Sequence, residues 1–317
     1  MNCRLCQAFA PRKANAPVLT TRQKIKAWWQ ACRPPFFIVD IIPIGLAFVL
    51  AKQDLGFAPW LECLVVLVGC FCLHTIANIA NDLFDYLEGV DTEESIGGTH
   101  VIQNGWISPR EISIAILLLL VGTVASGGWL IAHSGQTWLW AYVAFAIFSA
   151  IFYVAPPIRY GCRGFGELSV CLNMGFIMLT GAYAVMAQGF SLRSLAFALP
   201  VGLMVAGILY YQSLPEIETD RQAGKYTLAN IVGKAKAKLL FYLWWPAVWL
   251  LLLNLWWCGL VSWHISLCLF TLPLYLIVCR RLALATEWLE LDRYGHWVRK
   301  LYLINGALLI IALLLRQ

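Results

Sequence analysis

Long apolar runs separated by short polar segments dominate the chain from about residue 35 onward. A helical run of about 20 residues, at about 1.5 Å per residue, crosses the roughly 30 Å of hydrocarbon in a bilayer. The pattern predicts nine membrane spans, at residues 35–51, 59–80, 112–133, 138–155, 167–187, 195–214, 239–257, 260–279 and 300–316. We therefore expect an all-α, polytopic membrane bundle of about nine helices around a central cavity.

The segment before the first span has a different character. Residues 1–21 hold no apolar run, which predicts a flexible cytoplasmic tail, and residues 22–317 form the membrane domain. At the start of that domain, residues 22–35 combine cationic side chains with the pair Trp28 and Trp29. This mixture is typical of a helix at the membrane interface, and nothing in it indicates a catalytic role.

The composition and the distribution of charge agree with a membrane protein. Hydrophobic residues make up 61% of the chain and charged residues 13%, where a soluble domain has about a quarter. Of 23 Lys and Arg residues, all but Lys52, Arg193 and Arg316 fall on the side of the N-terminus. Cationic loops are retained in the cytoplasm, so we expect a cytoplasmic N-terminus and an external C-terminus, in a bacterial inner membrane. This asymmetry and the attraction to anionic lipids explain the net charge of +6, and a nucleic-acid partner is excluded.

Two polar clusters follow predicted spans directly. The second span continues into NIANDLFDYLEGVDTEES and the sixth into YQSLPEIETDRQAGKYTLANIVGK. The first cluster comprises Asn78, Asn81, Asp82, Asp85, Glu88 and Asp91, and the second comprises Glu216, Glu218, Asp220, Arg221 and Lys225. Carboxylates near a bilayer are costly unless they serve a site, so these clusters hold the candidate functional residues. The alternative is a pair of solvated cytoplasmic loops whose charges are merely exposed.

Helical spacing would bring the acidic side chains of each cluster together. Asn78, Asp82 and Asp85 are separated by four and three residues, and Glu216 and Asp220 by four, so each set shares one helix face. Like charges at this spacing repel, so we expect a cation between them. Hard oxygen ligands favour Mg²⁺, which also bridges to phosphate oxygens.

Two members of the second cluster are cationic. Arg221 and Lys225 are one helical turn apart, and cations of this kind bind the remaining oxygens of a diphosphate. The two acidic span ends would then lie over one cavity in the bundle, where they hold metal and anion together.

The two clusters resemble the two motifs of the UbiA superfamily of intramembrane prenyltransferases, an NxxxDxxD-type segment and a DxxxD-type segment followed by a GKxT turn. The matching residues are Asn78, Asp82, Asp85 and, in the following GVD, Asp91, then Glu216, Asp220, Gly224, Lys225 and Thr227. Residues 152–168 also resemble the family's loop between spans four and five. The resemblance covers about residues 25–316, and the form NDLFDYLEGVD is most similar to the MenA branch, which prenylates dihydroxynaphthoate on the way to menaquinone.

The resemblance implies a reaction. Mg²⁺ ions would hold the diphosphate of a polyprenyl donor and assist its departure, and an aromatic acceptor would attack the resulting allylic cation. The implied metal ligands are Asn78, Asp82, Asp85, Asp91, Glu216 and Asp220. The implied catalytic residues are Asp82, Asp85, Asp220 and Lys225, and the implied substrate-binding residues are Asn78, Asn81, Arg163, Arg221, Tyr153 and Tyr211, with Tyr210 as a further candidate for the lining that stabilises the cation.

Three positions modify this picture. The second motif begins with Glu216 where the family pattern has Asp, and His100 stands where many relatives carry Arg. Asp40 lies inside the first span, where an ionisable residue should face the bundle interior, so it is a further candidate for substrate binding. Hydrogen bonding to backbone freed by Pro43 is the alternative for Asp40, and His74 in the second span is expected to bond between helices.

The sequence therefore predicts an enzyme that prenylates an aromatic quinone precursor, with 1,4-dihydroxy-2-naphthoate as the expected acceptor. Other acceptors stay open, including 4-hydroxybenzoate, homogentisate and a porphyrinoid, as does a terpene cyclase of the same superfamily. A cation-coupled secondary transporter is the alternative from another class. Its coupling acids belong at the membrane midplane, whereas both clusters here lie at span ends on one side.

Overall fold

The computed structural model describes residues 8–11, 17–89 and 98–315, and these residues form helices and connecting turns with no β-strand. Twelve helices can be numbered within these ranges. They are α1 (Thr21–Cys32), α2 (Ile38–Leu55), α3 (Trp60–Glu88), α4 (Pro109–Ser134), α5 (Thr137–Phe152), α6 (Gly166–Ala187), α7 (Leu192–Ser213), α8 (Ile217–Gln222), α9 (Leu228–Val232), α10 (Lys234–Trp257), α11 (Trp263–Leu284) and α12 (Trp288–Leu314).

Most of these helices are apolar enough to lie in a membrane. Among the described residues, α3, α4, α6, α7, α10, α11 and α12 are long enough to cross it, and the segment Thr21–Phe36 together with α2 forms an eighth candidate, bent by 48°. Helix α5 is apolar but shorter. The all-helical membrane fold is thus confirmed and the chain is an integral membrane protein, while the predicted count of nine spans is not established.

Local sequence signals set the helix ends near the polar side of the bundle. Helix α4 begins with a capping box, in which the Ser108 and Glu111 side chains bond each other's backbone N–H, followed by Pro109 in the first turn. Helix α3 ends at Gly89, whose φ of 68° places it in the left-handed region that glycine tolerates. With 29 residues, α3 is about 43 Å long, so its last turns extend beyond the hydrocarbon.

Helices α6 and α7 pack closely because both have glycine at the contact. A Cβ atom on Gly175 would lie 2.1 Å from the Ala198 carbonyl oxygen, and one on Gly202 would lie 2.4 Å from the Cys171 carbonyl oxygen. Small residues allow helix backbones to approach in this way. Helix α6 also widens into a π-helical stretch over Cys171–Thr180, alongside α7. This pair forms one wall of the bundle interior.

The N-terminal residues are partly packed. Within the predicted tail, Ala8 is buried, its carbonyl oxygen accepts a 2.8 Å hydrogen bond from the Ser113 hydroxyl, and the Arg110 N–H donates to the Ala10 carbonyl oxygen. Helix α1 buries Ala27 and Ala31. Residues 8–11 therefore lie against α4, and α1 lies against α3, which carries the first polar cluster.

Candidate active site

A cavity of about 640 Å³ opens among the helices at the ends of α3 and α7. Its polar end is lined by Asn78, Asn81, Asp85, Glu216, Asp220 and Lys225, together with Arg33. The remainder is mostly apolar and is lined by α3, α4, α5, α6 and α7 as far as Val66, Leu130, Leu139 and Val185. Asp85 and Val66 are nineteen residues apart on one helix, so the cavity follows α3 for about 28 Å. The two predicted clusters thus lie at one end of a long apolar cavity.

The first cluster lies on the last turns of α3. Asn78, Asn81 and Asp85 face the cavity, at the i, i+3 and i+7 positions of one helix face. The Asn81 amide donates a 3.0 Å hydrogen bond to the Asp85 carboxylate, and the Asn78 amide donates a 3.0 Å bond to the Cys32 carbonyl oxygen at the end of α1. Both amides are oriented by these bonds, which leave their carbonyl oxygens as acceptors.

Asp82 takes a different direction from its neighbours. Its carboxylate forms an ion pair with Arg33 at 2.6 Å and accepts a hydrogen bond from the Thr99 hydroxyl, and it does not line the cavity. His100 follows Thr99 with a φ of 56°, in the left-handed region, and it does not line the cavity either. Asp82 therefore connects α3 to α1 and to the segment before α4.

Arg33 holds this connection from an unusual backbone conformation. Its φ of 51° is left-handed, a region that costs a non-glycine residue about 1–2 kcal/mol, and it directly precedes Pro34. Such conformations persist where the surrounding contacts fix them. For Arg33, the ion pair with Asp82 is such a contact. The guanidinium lines the polar end of the cavity, so a cation lies beside the first cluster.

The second cluster lies on a separate short helix, not on an extension of α7. Helix α7 ends at Ser213, Glu216 is the residue before the first turn of α8 and makes no side-chain cap, and Asp220 lies within α8. The Asp220 N–H donates a 2.8 Å bond to the Glu216 carbonyl oxygen, so one helical turn separates the two carboxylates. Both line the cavity. The four-residue spacing therefore places the two carboxylates together, but on the short helix α8 and not on a continuation of α7.

Lys225 joins the two clusters. The Nζ of Lys225 lies 3.3 Å from the Asp220 carboxylate. The Lys225 backbone N–H donates to the Asp220 carbonyl oxygen, and the Lys225 carbonyl oxygen accepts a 2.7 Å hydrogen bond from the Asn230 amide. Burial lowers the pKa of Lys225, but the carboxylates of Asp220, Glu216 and Asp85 raise it further, so the net pKa lies above its ordinary value. One ammonium thus faces carboxylates from both clusters, which places the two acidic helix ends close together.

The oxygen atoms at this end of the cavity suit Mg²⁺. Within residues 8–11, 17–89 and 98–315, no three His, Cys, Asp or Glu side chains are close enough to hold one ion by themselves. Mg²⁺ is typically held by one or two carboxylates together with water and phosphate oxygens, so a three-carboxylate cage is not required. Asp85, Glu216 and Asp220, with the amide oxygens of Asn78 and Asn81, supply donors of this kind. These residues fit the expected metal.

The loop between α5 and α6 covers the same end of the cavity. Arg159 forms a 3.0 Å ion pair with Glu88 at the end of α3, and the Tyr226 N–H donates to the Cys162 carbonyl oxygen at 2.8 Å. Tyr153 lines the cavity where this loop begins, as expected for a residue that contacts substrate. Loop, first cluster and second cluster are therefore joined to one another by specific contacts.

Several predicted residues do not reach the cavity. Arg221 is exposed, and the Arg163 guanidinium donates to the Pro157 carbonyl oxygen at 3.1 Å. The Tyr211 hydroxyl donates to the Leu291 carbonyl oxygen at 3.2 Å, and the Tyr210 hydroxyl donates to the Ala237 carbonyl oxygen, so both rings pack in the core. None of these four side chains lines the cavity, because Arg221 is exposed and the other three each bond another partner. Asp91 lies outside the described residues.

Asp40 is fully buried and does not line the cavity, but its partner does. Its two carboxylate oxygens lie 3.0 and 2.9 Å from Nδ1 of His74, and the His74 ring lines the cavity one turn before Asn78. The predicted bond of His74 between helices is present. A direct contact of Asp40 with substrate is not supported by this placement.

Two residues of the site have no direct signal in the amino-acid pattern. Arg33 belongs to the segment expected to lie passively at the interface, and its partner Asp82 is 49 residues away. Asn230, which holds the Lys225 carbonyl oxygen, lies beyond the second motif. An arginine next to a span could have suggested the first pairing, whereas nothing in the local pattern indicates the second.

Known proteins resemble this chain over most of its length. The model of the UbiA prenyltransferase family matches residues 41–289. A 1,4-dihydroxy-2-naphthoate octaprenyltransferase from Haemophilus influenzae is 31% identical over 230 residues, which cover 68% of this chain and 72% of the relative. UbiA prenyltransferase domain-containing protein 1 from Homo sapiens is 25% identical over 237 residues, covering 73% of this chain and 68% of the relative.

Solved structures share the fold. A UbiA homolog from Archaeoglobus fulgidus bound to DMAPP and Mg²⁺ superimposes with a TM-score of 0.64 at 17% identity, covering 89% of this chain and 98% of that one. A UbiA homolog from Aeropyrum pernix K1, solved in its apo form, has a TM-score of 0.64 at 15% identity and covers 86% of this chain and 97% of that one. At these identities, the two structures establish the arrangement of helices alone.

Proposed function

The chain belongs to the UbiA prenyltransferase family, and from this premise we propose that it transfers a polyprenyl group from its diphosphate to 1,4-dihydroxy-2-naphthoate, with Mg²⁺ as cofactor. Membership of the family, together with the dihydroxynaphthoate octaprenyltransferases among its relatives, makes the chain an aromatic prenyltransferase. The acceptor, the metal and the individual residue roles are the proposed part. The observation that carries them is the single cavity that has both acidic helix ends at its polar end and an apolar interior.

The polar end is suited to a diphosphate. Asp85, Glu216 and Asp220, with the amide oxygens of Asn78 and Asn81, would hold Mg²⁺, which supplies charge neutralisation and Lewis-acid assistance to the leaving group. Lys225 stays protonated because of the carboxylates around it, so it donates hydrogen bonds to diphosphate oxygens. Arg33 lines the same end and adds a second cation, while Asp82 holds it in place.

The apolar remainder of the cavity is suited to the polyprenyl chain. Each buried methylene group favours an apolar site over water by about 0.8 kcal/mol. Because the cavity follows α3 for about 28 Å from Asp85 to Val66, a long tail can lie along it with its diphosphate at the polar end. Exclusion of water from this interior also protects an allylic cation from hydrolysis, and Tyr153 supplies an aromatic wall near the reacting carbon.

The location in the cell is part of the same proposal. Lys and Arg residues concentrate on the side of the acidic helix ends, so the active site would face the cytoplasm of a bacterial inner membrane and the C-terminus would lie outside. A soluble acceptor and the released diphosphate then exchange with the cytoplasm, while the tail stays in the bundle.

The test is transfer by the purified protein in detergent. Octaprenyl diphosphate and Mg²⁺ are supplied with dihydroxynaphthoate, 4-hydroxybenzoate or homogentisate, and products are identified by mass spectrometry. We expect Mg²⁺-dependent prenylation of dihydroxynaphthoate in preference to the others. Transfer to a different acceptor would contradict the proposed substrate. The absence of Mg²⁺-dependent diphosphate release with every acceptor would contradict the proposed function itself.

A further inference from the structure

A buried acid and a histidine form a pair beside the cavity that the proposed diphosphate site does not use. Asp40 has no exposed surface, and both of its carboxylate oxygens lie within hydrogen-bonding distance of Nδ1 of His74, at 3.0 and 2.9 Å. Asp40 lies in the first turn of α2, where the positive end of the helix dipole favours a carboxylate. Burial acts against the charged form of Asp40, while the helix dipole and the contact with His74 favour it, and the side chain is directed to one ring nitrogen.

This pairing fixes the chemistry of the second ring nitrogen. An ionised Asp40 only accepts hydrogen bonds, so a neutral imidazole in contact with it carries its hydrogen on Nδ1 and leaves Nε2 as an acceptor. The Phe37 ring packs against His74 with centroids 5.3 Å apart, and stacks on Phe71 at 4.9 Å. The imidazole is thus held in orientation by its partner and by aromatic packing, as a general base requires.

The position of His74 along the cavity matches that of an acceptor ring. His74 lines the cavity four residues before Asn78 on the same helix, about 6 Å towards the apolar interior. A donor whose diphosphate lies at the acidic helix ends has its reactive carbon directly inside this polar end. An aromatic molecule that attacks this carbon must therefore lie near His74.

We propose that His74 is the general base that removes the hydroxyl proton of the aromatic acceptor, and that Asp40 is the positioning residue that maintains its tautomer. This inference rests on the proposed prenyl transfer. The proton moves from the acceptor hydroxyl to Nε2, and the ring becomes a phenolate and a stronger nucleophile. A ring carbon then bonds the allylic carbon as the bond to diphosphate breaks and its electron pair leaves with the diphosphate. The attacked carbon then loses its carboxylate as carbon dioxide, or gives its proton to the departed diphosphate, and the electron pair released restores the aromatic ring as a phenolate. The protonated imidazole returns its proton to this phenolate.

The substitution His74→Gln tests this role because glutamine keeps hydrogen bonding and cannot take up the proton. We expect kcat to fall about 10²-fold, the usual contribution of a general base, while the KM of the donor is unchanged. The loss should largely disappear with an acceptor analogue that carries electron-withdrawing substituents and is already ionised at the assay pH. Wild-type kcat in His74→Gln, or an equal loss with ionised and un-ionised acceptors, would overturn the proposal.

The chain offers a matched control in a second histidine–carboxylate pair. His133 lies 3.2 Å from Glu62, which is also in the first turn of its helix, and neither lines the cavity. His133→Gln should keep wild-type kcat with both acceptors. Binding of a non-reactive prenyl thiodiphosphate establishes that each variant is folded, and His74→Asn carries the same prediction if His74→Gln fails to bind it.

A double substitution tests whether Asp40 acts through His74. Asp40→Asn can orient the imidazole in the wrong tautomer, so we expect a kcat loss that also shrinks with the ionised acceptor. The pair Asp40→Asn with His74→Gln should be no worse than His74→Gln alone, because residues that act as a unit are not additive. Additive losses would contradict the positioning role. If the wild-type protein transfers prenyl groups to no acceptor, the proposed function fails. If the wild-type protein is active and the substitutions of His74 and Asp40 do not behave as described, only the role of these two residues fails.

Discussion

The first acidic segment is part of one continuous helix, α3, whereas the second is divided between a short helix, a turn at Gly224 and the start of α9. On α3, the backbone hydrogen bonds of a 29-residue helix fix the spacing of Asn78, Asn81 and Asp85. In the second segment, contacts with other parts of the chain fix the positions of the functional residues. Asn230 holds Lys225, and the loop before α6 holds Tyr226.

This difference indicates a division of roles. The rigid segment presents oxygen ligands in a fixed row, and two further acids on it, Asp82 and Glu88, are paired with Arg33 and Arg159. The divided segment supplies Glu216 and Asp220 together with Lys225, whose ammonium group interacts with carboxylates of both segments. Substitutions on α3 should therefore act on the chemistry directly, while several substitutions around α8 and α9 should act by displacing Lys225.

The largest effect is expected for Asp85→Asn, which keeps the shape of a proposed metal ligand and removes its charge. We expect kcat/KM to fall by about 10³-fold, and the Mg²⁺ concentration for half-maximal activity to rise by about 10–100-fold. Steady-state assays at varied Mg²⁺ measure both quantities. Asp54→Asn is the matched control, because Asp54 pairs with Arg193 and Tyr183 away from the cavity. Wild-type Mg²⁺ dependence in Asp85→Asn would contradict the role of the rigid segment.

Lys225→Met should have the next largest effect, about 10²-fold in kcat/KM and mainly through the KM of the donor, because the diphosphate loses a cationic partner. The pKa of Lys225 is raised, so its stabilising interaction is fully present below the ordinary lysine pKa and is lost only as pH rises through the higher folded value. The Tm difference between wild-type protein and Lys225→Met should hence be constant from about pH 6 to pH 9. A difference that closes within this range would show that Lys225 titrates early.

Arg33→Gln should have an intermediate effect, because it removes the partner of a buried carboxylate on α3. A hydrogen bond to a charged group contributes about 1.5–3 kcal/mol, and we expect a lower Tm and about a 10-fold loss of activity. Asp82→Asn combined with Arg33→Gln should cost less than the two separate losses added together, since the residues are in contact. Full additivity would mean that Arg33 acts on the site independently of Asp82.

The smallest effect is expected for Asn230→Ala, which acts on Lys225 only through its backbone. Loss of one neutral hydrogen bond costs about 1 kcal/mol, which corresponds to about a fivefold loss of kcat/KM, with unchanged Mg²⁺ dependence. Thr219→Ala serves as the control, since the Thr219 hydroxyl bonds the Glu216 carbonyl oxygen at an exposed position. A change in Mg²⁺ dependence in Asn230→Ala would show that Asn230 affects the proposed metal ligands and does not act on Lys225 alone.

Much of the fold was accessible from the sequence because the bilayer imposes a simple rule. Every backbone polar group in hydrocarbon must be bonded within the chain, so long apolar runs form helices regardless of their neighbours. The family was accessible as well, and its match confirms the resemblance that the two motifs indicated. The predicted roles of the individual site residues remain predictions.

The errors in the predicted site have a common physical origin. Tyr211 belongs to an aromatic-rich helix end, but its direction depends on the Leu291 carbonyl oxygen 80 residues away. Arg221 and Lys225 are equivalent in the sequence pattern, yet only Lys225 turns towards the acids, because the turn at Gly224 separates the two residues. Helical periodicity did not anticipate the break between α7 and α8.

The sequence by itself determined the membrane helices, the position of two acidic segments at their ends and the chemistry that carboxylate and amide oxygens favour, because these follow from solvent and local spacing. The tertiary structure alone decided which side chains meet. Arg33 reaches Asp82, Asp40 reaches His74, and Lys225 faces carboxylates on two different helices. Each of these contacts joins distant parts of the chain, and only helix packing brings such groups within a few ångströms of one another.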